Sequence, residues 1–266
     1  MSGERPQYGA STGGEVPVCP RHPDRPAYVT CQRCGRPACP ECQRAAAVGV
    51  HCVDCVQQAA RNRPARRTSL GGRAPQGSPM LVTWWLIGAN TVVYALQWLL
   101  RAVGLSLLQM FAYAPVTTTS EPWRMLTSGF LHSMSGPFHL LLNMYMLYVF
   151  GRMLEPSLGR ARFLLLFLLS VLGGSLGVLL LSHPMSLVVG ASGGIFGLFG
   201  ALFVLQRHLG QSITPVAVLI GINVVFGFVF PGIAWQAHLG GLLTGALVAF
   251  AYTAAARRRR GAGRPR

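Results

Sequence analysis

Long runs of apolar side chains alternate with short polar segments from residue 81 to the C-terminal end. A membrane-spanning helix needs about 20 mostly apolar residues, and six runs approach or reach that length. These runs are residues 81–100, 138–154, 163–181, 191–205, 214–229 and 235–255. The pattern predicts six membrane helices within residues 80–256. A soluble all-α protein is the alternative, and six nearly uncharged runs argue against it.

The first 79 residues contain no apolar run and divide by composition. Residues 1–18 are rich in Gly, Pro, Ser and Thr, which predicts a disordered N-terminus. Residues 19–55 hold all seven cysteines, and residues 56–79 carry five arginines among prolines and glycines. The latter segment is expected to lie as a basic linker against an anionic membrane surface. The polar N-terminus has no apolar core of a signal peptide.

Arginine placement predicts the orientation in the membrane. Charged residues form only 11% of the chain, against roughly 25% in soluble proteins. If the N-terminus is cytoplasmic, the inner segments near the membrane hold fifteen arginines, whereas the outer loops hold Arg101 and Arg124. This bias is typical of a multi-pass protein with both termini inside, including the basic tail at residues 257–266. The charges follow the edges of the apolar runs, so we expect no nucleic-acid partner and a cell-membrane location, in a bacterium.

Four ligand pairs with two intervening residues predict a metal-binding module at residues 19–55. The pairs are Cys19 and His22, Cys31 and Cys34, Cys39 and Cys42, and Cys52 and Cys55. Eight such ligands suit two tetrahedral zinc ions. A segment below about 40 residues buries too little apolar surface to fold alone, so the metal would supply the folding free energy. Disulfides are the alternative, and the reducing cytoplasm argues against them.

The spacing of these pairs resembles that of B-box-type zinc fingers, in which pairs alternate between two ions. The resemblance implies one zinc ion shared by Cys19, His22, Cys39 and Cys42. It implies a second ion shared by Cys31, Cys34, Cys52 and Cys55. His51 is adjacent to the last pair and is an alternative ligand. All ligand positions are filled, so the expected role is structural, with recognition of a cytoplasmic protein partner.

Polar side chains inside the apolar runs are costly in lipid and are therefore candidates for function. His139 and Asn143 lie four residues apart on the second run and share one helical face. Ser192 opens the fourth run, and His238 lies near the start of the sixth. With the N-terminus inside, even-numbered spans start at the outer side of the membrane. All four side chains are therefore expected at a similar depth near that side.

Two stripes of small residues predict that the fourth and sixth helices pack closely. They are Gly193, Gly197 and Ala201 on one helix, and Ala237, Gly241 and Gly245 on the other. Close approach would allow a dyad in which Ser192 is the nucleophile and His238 the general base. Neither span contains an acidic third member. The expected packing partner of the His238 ring is Phe196.

An acyl-transfer site also needs donors for the developing oxyanion. Ser192 at a helix N-terminus has a free backbone N–H, and His139 and Asn143 are candidate side-chain donors. Gly190 and Gly194 are expected to leave room at the serine for a substrate backbone.

These stretches resemble the rhomboid family of intramembrane serine proteases. The matching stretches are residues 190–193 and 237–241, His139 with Asn143, Trp123 with Arg124, and Gly151, Leu154, Glu155, Gly159, Arg162 and Phe163. The resemblance covers residues 75–266 and implies an all-α membrane protein, a six-helix bundle with a water-filled cavity that opens outward. It implies cleavage of transmembrane protein substrates in the lipid bilayer. It assigns the nucleophile to Ser192, the base to His238, and the oxyanion donors to His139, Asn143 and the Ser192 backbone, without a catalytic cofactor.

Two other functions stay open. A non-catalytic rhomboid-like membrane adaptor would bind helices or partners, but it need not keep both Ser192 and His238. A soluble α/β-hydrolase would use Gly190-x-Ser192-x-Gly194 as a nucleophile elbow, which requires a preceding strand and an acidic partner. The membrane runs and the missing carboxylate argue against it.

Overall fold

The computed structural model describes residues 16–62, 68, 70, 72, 78–229 and 232–262, without side chains for 259–262. The chain divides into two units, Met1–Ala65 and Arg66–Arg266. The predicted disorder of the N-terminus falls mostly outside the described residues. Much of the predicted linker and the last four residues of the basic tail also lie outside them.

The N-terminal unit consists of short antiparallel ribbons followed by one helix. The ribbons pair β1 (Val18–Cys19) with β2 (His22–Pro26), β3 (Val29–Thr30) with β4 (Pro37–Ala38), and β5 (Gln43–Ala45) with β6 (Val50–Cys52). Helix α1 spans Val53–Arg61. Nine apolar residues form its buried cluster, and six of these are cysteines. Such a core holds little hydrocarbon, which is the composition expected of a metal-stabilised module.

The second unit is mostly helical, and each predicted run forms a long helix. These helices are α2 (Leu81–Ala102), α5 (Phe138–Leu158), α6 (Arg160–Leu181), α7 (Ser192–His208), α8 (Thr214–Val229) and α9 (Trp235–Ala262). The short helices α3 (Leu107–Phe111) and α4 (Arg124–Thr127) lie between α2 and α5. The prediction of a helical bundle in this part of the chain is therefore confirmed.

Length and hydropathy single out fewer spans than the pattern predicted. Among the described residues, Arg160–Leu181 (mean hydropathy 2.6) and Trp235–Arg258 (mean hydropathy 1.6) are long and apolar enough to cross a membrane. Helix α8 is apolar but has only 16 residues. The count of six spans stays a prediction.

The last turn of α5 and its junction with α6 organise one end of this unit. Glu155 is fully buried, and its carboxylate accepts hydrogen bonds from the Val82 and Thr83 N–H groups (2.9 and 2.8 Å) and the Thr83 hydroxyl (2.7 Å). It therefore caps the first turn of α2, where N–H groups lack helical partners. Gly159, with φ +82°, then turns the chain into α6. The Glu155–Gly159 part of the predicted motif thus fixes how α2, α5 and α6 meet.

Helix α9 packs against both α6 and α7 through glycines. An added Cβ at Gly240 would lie closer than 3.0 Å to the Gly173 carbonyl of α6. An added Cβ at Gly241 would also lie closer than 3.0 Å to the Gly193 carbonyl of α7. The predicted contact between the small stripes of α7 and α9 is present, because Gly245 also faces the Gly197 backbone. Small side chains permit this close approach.

Candidate active site and metal centres

The N-terminus of α7 places Ser192 at the start of a helix. Gly190 has φ +124°, a conformation that glycine adopts without steric cost. Its N–H donates to the Ser128 carbonyl (2.9 Å). Val188 is joined to Tyr113 by two backbone hydrogen bonds (2.8 and 3.2 Å). The segment that leads into Ser192 is therefore held by hydrogen bonds to two other parts of the chain. The Ser192 N–H is one of the first-turn groups without an intrahelical acceptor.

A cavity of about 700 Å³ contains all four polar side chains that the sequence singled out. Ser192, His238, His139 and Asn143 all lie in its wall. They come from three helices, α5, α7 and α9, so only the folded chain brings them together. A cavity of this size, mostly apolar with a few polar groups, has the form of a ligand site.

His139 presents a hydrogen-bond donor beside Ser192. The Ser133 N–H donates to His139 Nδ1 (3.1 Å), so the proton of the neutral ring must be on Nε2. An added Cβ at Gly190 would lie 2.9 Å from this Nε2 and 3.7 Å from Ser192 Oγ. The Nε2–H group and the serine hydroxyl therefore flank the same glycine, and any side chain at position 190 would come between them.

Asn143 retains part of its hydrogen-bonding capacity. Its Nδ2 group donates to the His139 carbonyl one turn earlier (2.7 Å). An amide nitrogen has two hydrogens, so one remains for another acceptor. The side chain is only 6% exposed and lies in the cavity wall.

The His238 ring is held by stacking. Its centroid lies 3.9 Å from that of Phe196, with an angle of 8° between the rings; this is the predicted contact. Within the described residues, no hydrogen bond joins Ser192 Oγ to His238, and His238 Nδ1 is buried without a partner. Hydrogen bonds between reacting groups are often long until substrate binds. The structure thus brings the predicted pair into one cavity without a direct hydrogen bond between the two side chains.

The structure contradicts the predicted role of Gly194. An added Cβ there would lie 2.6 Å from the Phe167 ring and 2.9 Å from Val171, both on α6. Gly194 therefore allows α6 to pack against α7 and does not leave room for a substrate. Helical phase alone could not show this, because it does not say which neighbour each face of α7 meets.

Sequence reasoning missed two polar residues near this site. Asn223 of α8 lies in the cavity wall. His132 is fully buried, its ring centroid is 5.2 Å from that of His139, and neither of its nitrogens has a partner among the described residues. The Gln97 side chain holds the His132 backbone N–H and carbonyl (3.0 and 2.9 Å). The polar residue Gln97 inside the first apolar run could have indicated that this helix makes a buried hydrogen-bonded contact.

The N-terminal unit brings the eight predicted ligands into two groups. Within each group the ligand atoms lie within 4.8 Å of one another. The groups are Cys19, His22, Cys39 and Cys42, and Cys31, Cys34, Cys52 and Cys55. This is the alternating pairing, and His51 belongs to neither group. The seven cysteines are free thiols, without disulfides.

The donor geometry in these groups suits a metal ion. His22 Nδ1 lies 3.3 Å from Cys39 Sγ and 3.4 Å from Cys42 Sγ, so one ion can contact all three. Hydrogen bonding from the Cys39 backbone N–H lowers the pKa of Cys19 to about 6, and thiolate is the form that binds metal. In the other group, Arg36 Nε donates to Cys34 Sγ (3.4 Å). These residues therefore fit two four-ligand sites.

Comparison with known proteins agrees with this architecture. The Rhomboid domain family model matches residues 119–255. The putative rhomboid protease YdcA of Bacillus subtilis is 40% identical over 136 residues, which are 49% of this chain and 67% of that protein. RHOMBOID-like protein 4 of Arabidopsis thaliana is 36% identical over 51% of this chain and 35% of its own length. Rhomboid protease GluP of Bacillus subtilis is 38% identical over 49% of this chain and 26% of its own length.

The chain therefore belongs to the rhomboid family, whose members are membrane proteins. It spans about a third of the length of RHOMBOID-like protein 4 and about a quarter of GluP. The family match begins at residue 119, so the Cys/His unit and α2 lie outside it. Relatives come from both a bacterium and a plant, and the bacterial origin stays a prediction.

Proposed function

We propose that this protein is an intramembrane serine endopeptidase that hydrolyses peptide bonds of transmembrane proteins. The observation that carries the proposal is the shared cavity of Ser192, His238, His139 and Asn143 in a member of the rhomboid family. The relatives YdcA and GluP are named as rhomboid proteases.

In the proposed reaction, Ser192 Oγ attacks the scissile carbonyl while the His238 imidazole takes the hydroxyl proton. Stacking on Phe196 fixes the plane of the imidazole. The protonated ring then gives its proton to the leaving amine, and a water molecule hydrolyses the acyl-enzyme. Because both histidine protonation states are needed in turn, the ring must stay in one orientation through both steps.

Three donors are proposed to stabilise the oxyanion: the Ser192 N–H, His139 Nε2–H and the second amide hydrogen of Asn143. The Ser133 N–H holds the His139 ring in the donor tautomer. The bond from the Asn143 side chain to the main-chain carbonyl of His139 holds the Asn143 amide against the same face of α5. Preorganised donors of this kind act strongly in a site of low dielectric constant.

The proposed setting is a six-span bundle of α2 and α5 to α9 in a cell membrane, with both termini cytoplasmic and the cavity near the outer side. The lipid bilayer and transmembrane substrates are its partners. The proposed module at residues 19–55 holds two structural zinc ions, since seven thiolates and one imidazole form ligand sets that zinc prefers. Its proposed role is recognition of a cytoplasmic protein.

The test combines cleavage with active-site labelling. Ser192→Ala and His238→Ala should each abolish cleavage of a transmembrane substrate by the detergent-purified protein while the fold persists. Ser157→Ala and His183→Ala, which lie outside the cavity, are the matched controls. A fluorophosphonate probe should label wild type at Ser192. Full cleavage by either dyad variant would overturn the mechanism, and a wild type that is neither labelled nor active would favour the adaptor function.

A further inference from the structure

Asn223 places a polar side chain in the cavity wall. It belongs neither to the proposed dyad nor to the proposed oxyanion donors. It lies on α8, where every residue after Thr214 except Asn223 is apolar or glycine. An amide in the middle of such a helix is costly in lipid and is therefore a candidate for function. Asn223 contributes to the same cavity wall as Ser192 and His238.

The hydrogen bonding of Asn223 leaves an acceptor available. Its Nδ2 group donates to the Leu219 carbonyl of the same helix (2.8 Å). Since a carbonyl only accepts, this contact must be made by the amide nitrogen. In the described part of the chain, no donor reaches Asn223 Oδ1 and no bond joins the side chain to another helix. Asn side chains in membrane bundles usually form hydrogen bonds between helices. Asn223 does not have this role among the described residues.

The two sides of the cavity differ in polarity. Ser133, His139 and Asn143 supply polar groups from α5 and the segment before it. The other wall residues from α8 and the segment after it are apolar or glycine: Phe226, Gly232, Ile233 and Ala234. A substrate carbonyl inside an α-helix is bonded to the N–H four residues later, so the substrate must unwind before attack. Each N–H released in this way is costly unless an acceptor replaces the lost carbonyl. On the α8 side of the cavity, that acceptor is available at Asn223.

We propose that Asn223 Oδ1 accepts a hydrogen bond from a main-chain N–H of the unwound substrate, which makes Asn223 a substrate-positioning residue. This inference rests on the proposed protease function. Because the contact is to the main chain, it selects for transmembrane segments that unwind near the cleavage site and not for a particular side chain. It acts on substrate binding and orientation, and it leaves the reactivity of Ser192 alone.

The first test separates substrate positioning from dyad chemistry. Asn223→Leu in the full chain should lower kcat/KM for a transmembrane substrate about fivefold, the value of one hydrogen bond. Its rate of Ser192 labelling by a small fluorophosphonate should equal that of wild type. Val225→Leu, an exposed α8 position outside the cavity wall, is the matched control. Equal cleavage by Asn223→Leu and wild type, or slower labelling of the variant, would overturn the inference.

The second test identifies the substrate group. Amide bonds around the scissile bond are replaced one at a time by esters, each of which removes one N–H. One replacement should slow cleavage by wild type and have no further effect in Asn223→Leu. If every ester slows both proteins equally, Asn223 does not bind the substrate main chain. A wild type that fails both labelling and cleavage would instead overturn the proposed function, so the two failures are distinguishable.

Discussion

Six of the nine buried apolar residues of the N-terminal unit are cysteines, whereas in the second unit α6, α7 and α9 meet through glycines. Both contact regions therefore lack large side chains, for opposite reasons. The cysteines approach one another because a metal ion can take the space between them. The glycines let one helix backbone rest directly on the next.

The difference concerns the source of stability. In the first unit, stability should follow metal occupancy, because binding free energy becomes folding free energy. In the second, stability should follow shape, because association of helices in lipid depends on close van der Waals packing. Treatments that act on one unit should therefore spare the other.

Metal removal should have the largest effect and should be confined to the N-terminal unit. Structural zinc contributes an apparent binding free energy of about 10–16 kcal/mol in small modules, so a strong chelator should unfold this unit. Trypsin should then cleave at Arg21 and Arg44, while fluorophosphonate labelling of Ser192 persists. Mass spectrometry of the native protein should find two zinc ions per chain, also in His51→Ala. A chelated unit that still resists trypsin would show that its core does not depend on metal.

A side chain at the α7–α9 contact should have the next largest effect. Gly241→Val would force Cβ into the Gly193 carbonyl, and overpacking of this kind costs about 1–3 kcal/mol. Thermal unfolding in detergent measures the loss. Gly221→Val is the matched control, because an added Cβ there meets nothing within 4 Å. Equal losses in the two variants would mean that helix propensity, and not close packing, governs this unit.

Asn143→Ala should have the smallest effect on stability and act on turnover. Loss of one oxyanion donor should reduce kcat by about 10–100-fold while the midpoint of thermal unfolding changes little. Leu141→Ala on the same helix, exposed and outside the cavity wall, is the control. An unchanged kcat would remove Asn143 from the oxyanion role.

Particular residues show how far sequence reasoning reached. The expectation that His139, Asn143, Ser192 and His238 lie at a similar depth followed from the direction of each predicted span. That depth stays a prediction, and all four side chains lie in the wall of one cavity. The contact of Phe196 with His238 followed from the spacing of one helical turn. Gly194 was misassigned, because its neighbour on α6 depends on how α7 is rotated about its axis. Asn223 was missed for the same reason: hydropathy shows an apolar helix but not which face meets the cavity.

Local spacing and the cost of polar groups in lipid were enough to predict the helical runs, the ligand pairs of the Cys/His unit and the candidate reactive side chains. The packing of the folded chain was needed to show that α9 contacts both α6 and α7, that the Ser133 N–H sets the tautomer of His139, and that Asn223 faces the cavity of Ser192. Each of these depends on the rotation and approach of elements distant in the chain. Those quantities are set by the joint packing of all the helices and are encoded in no single one.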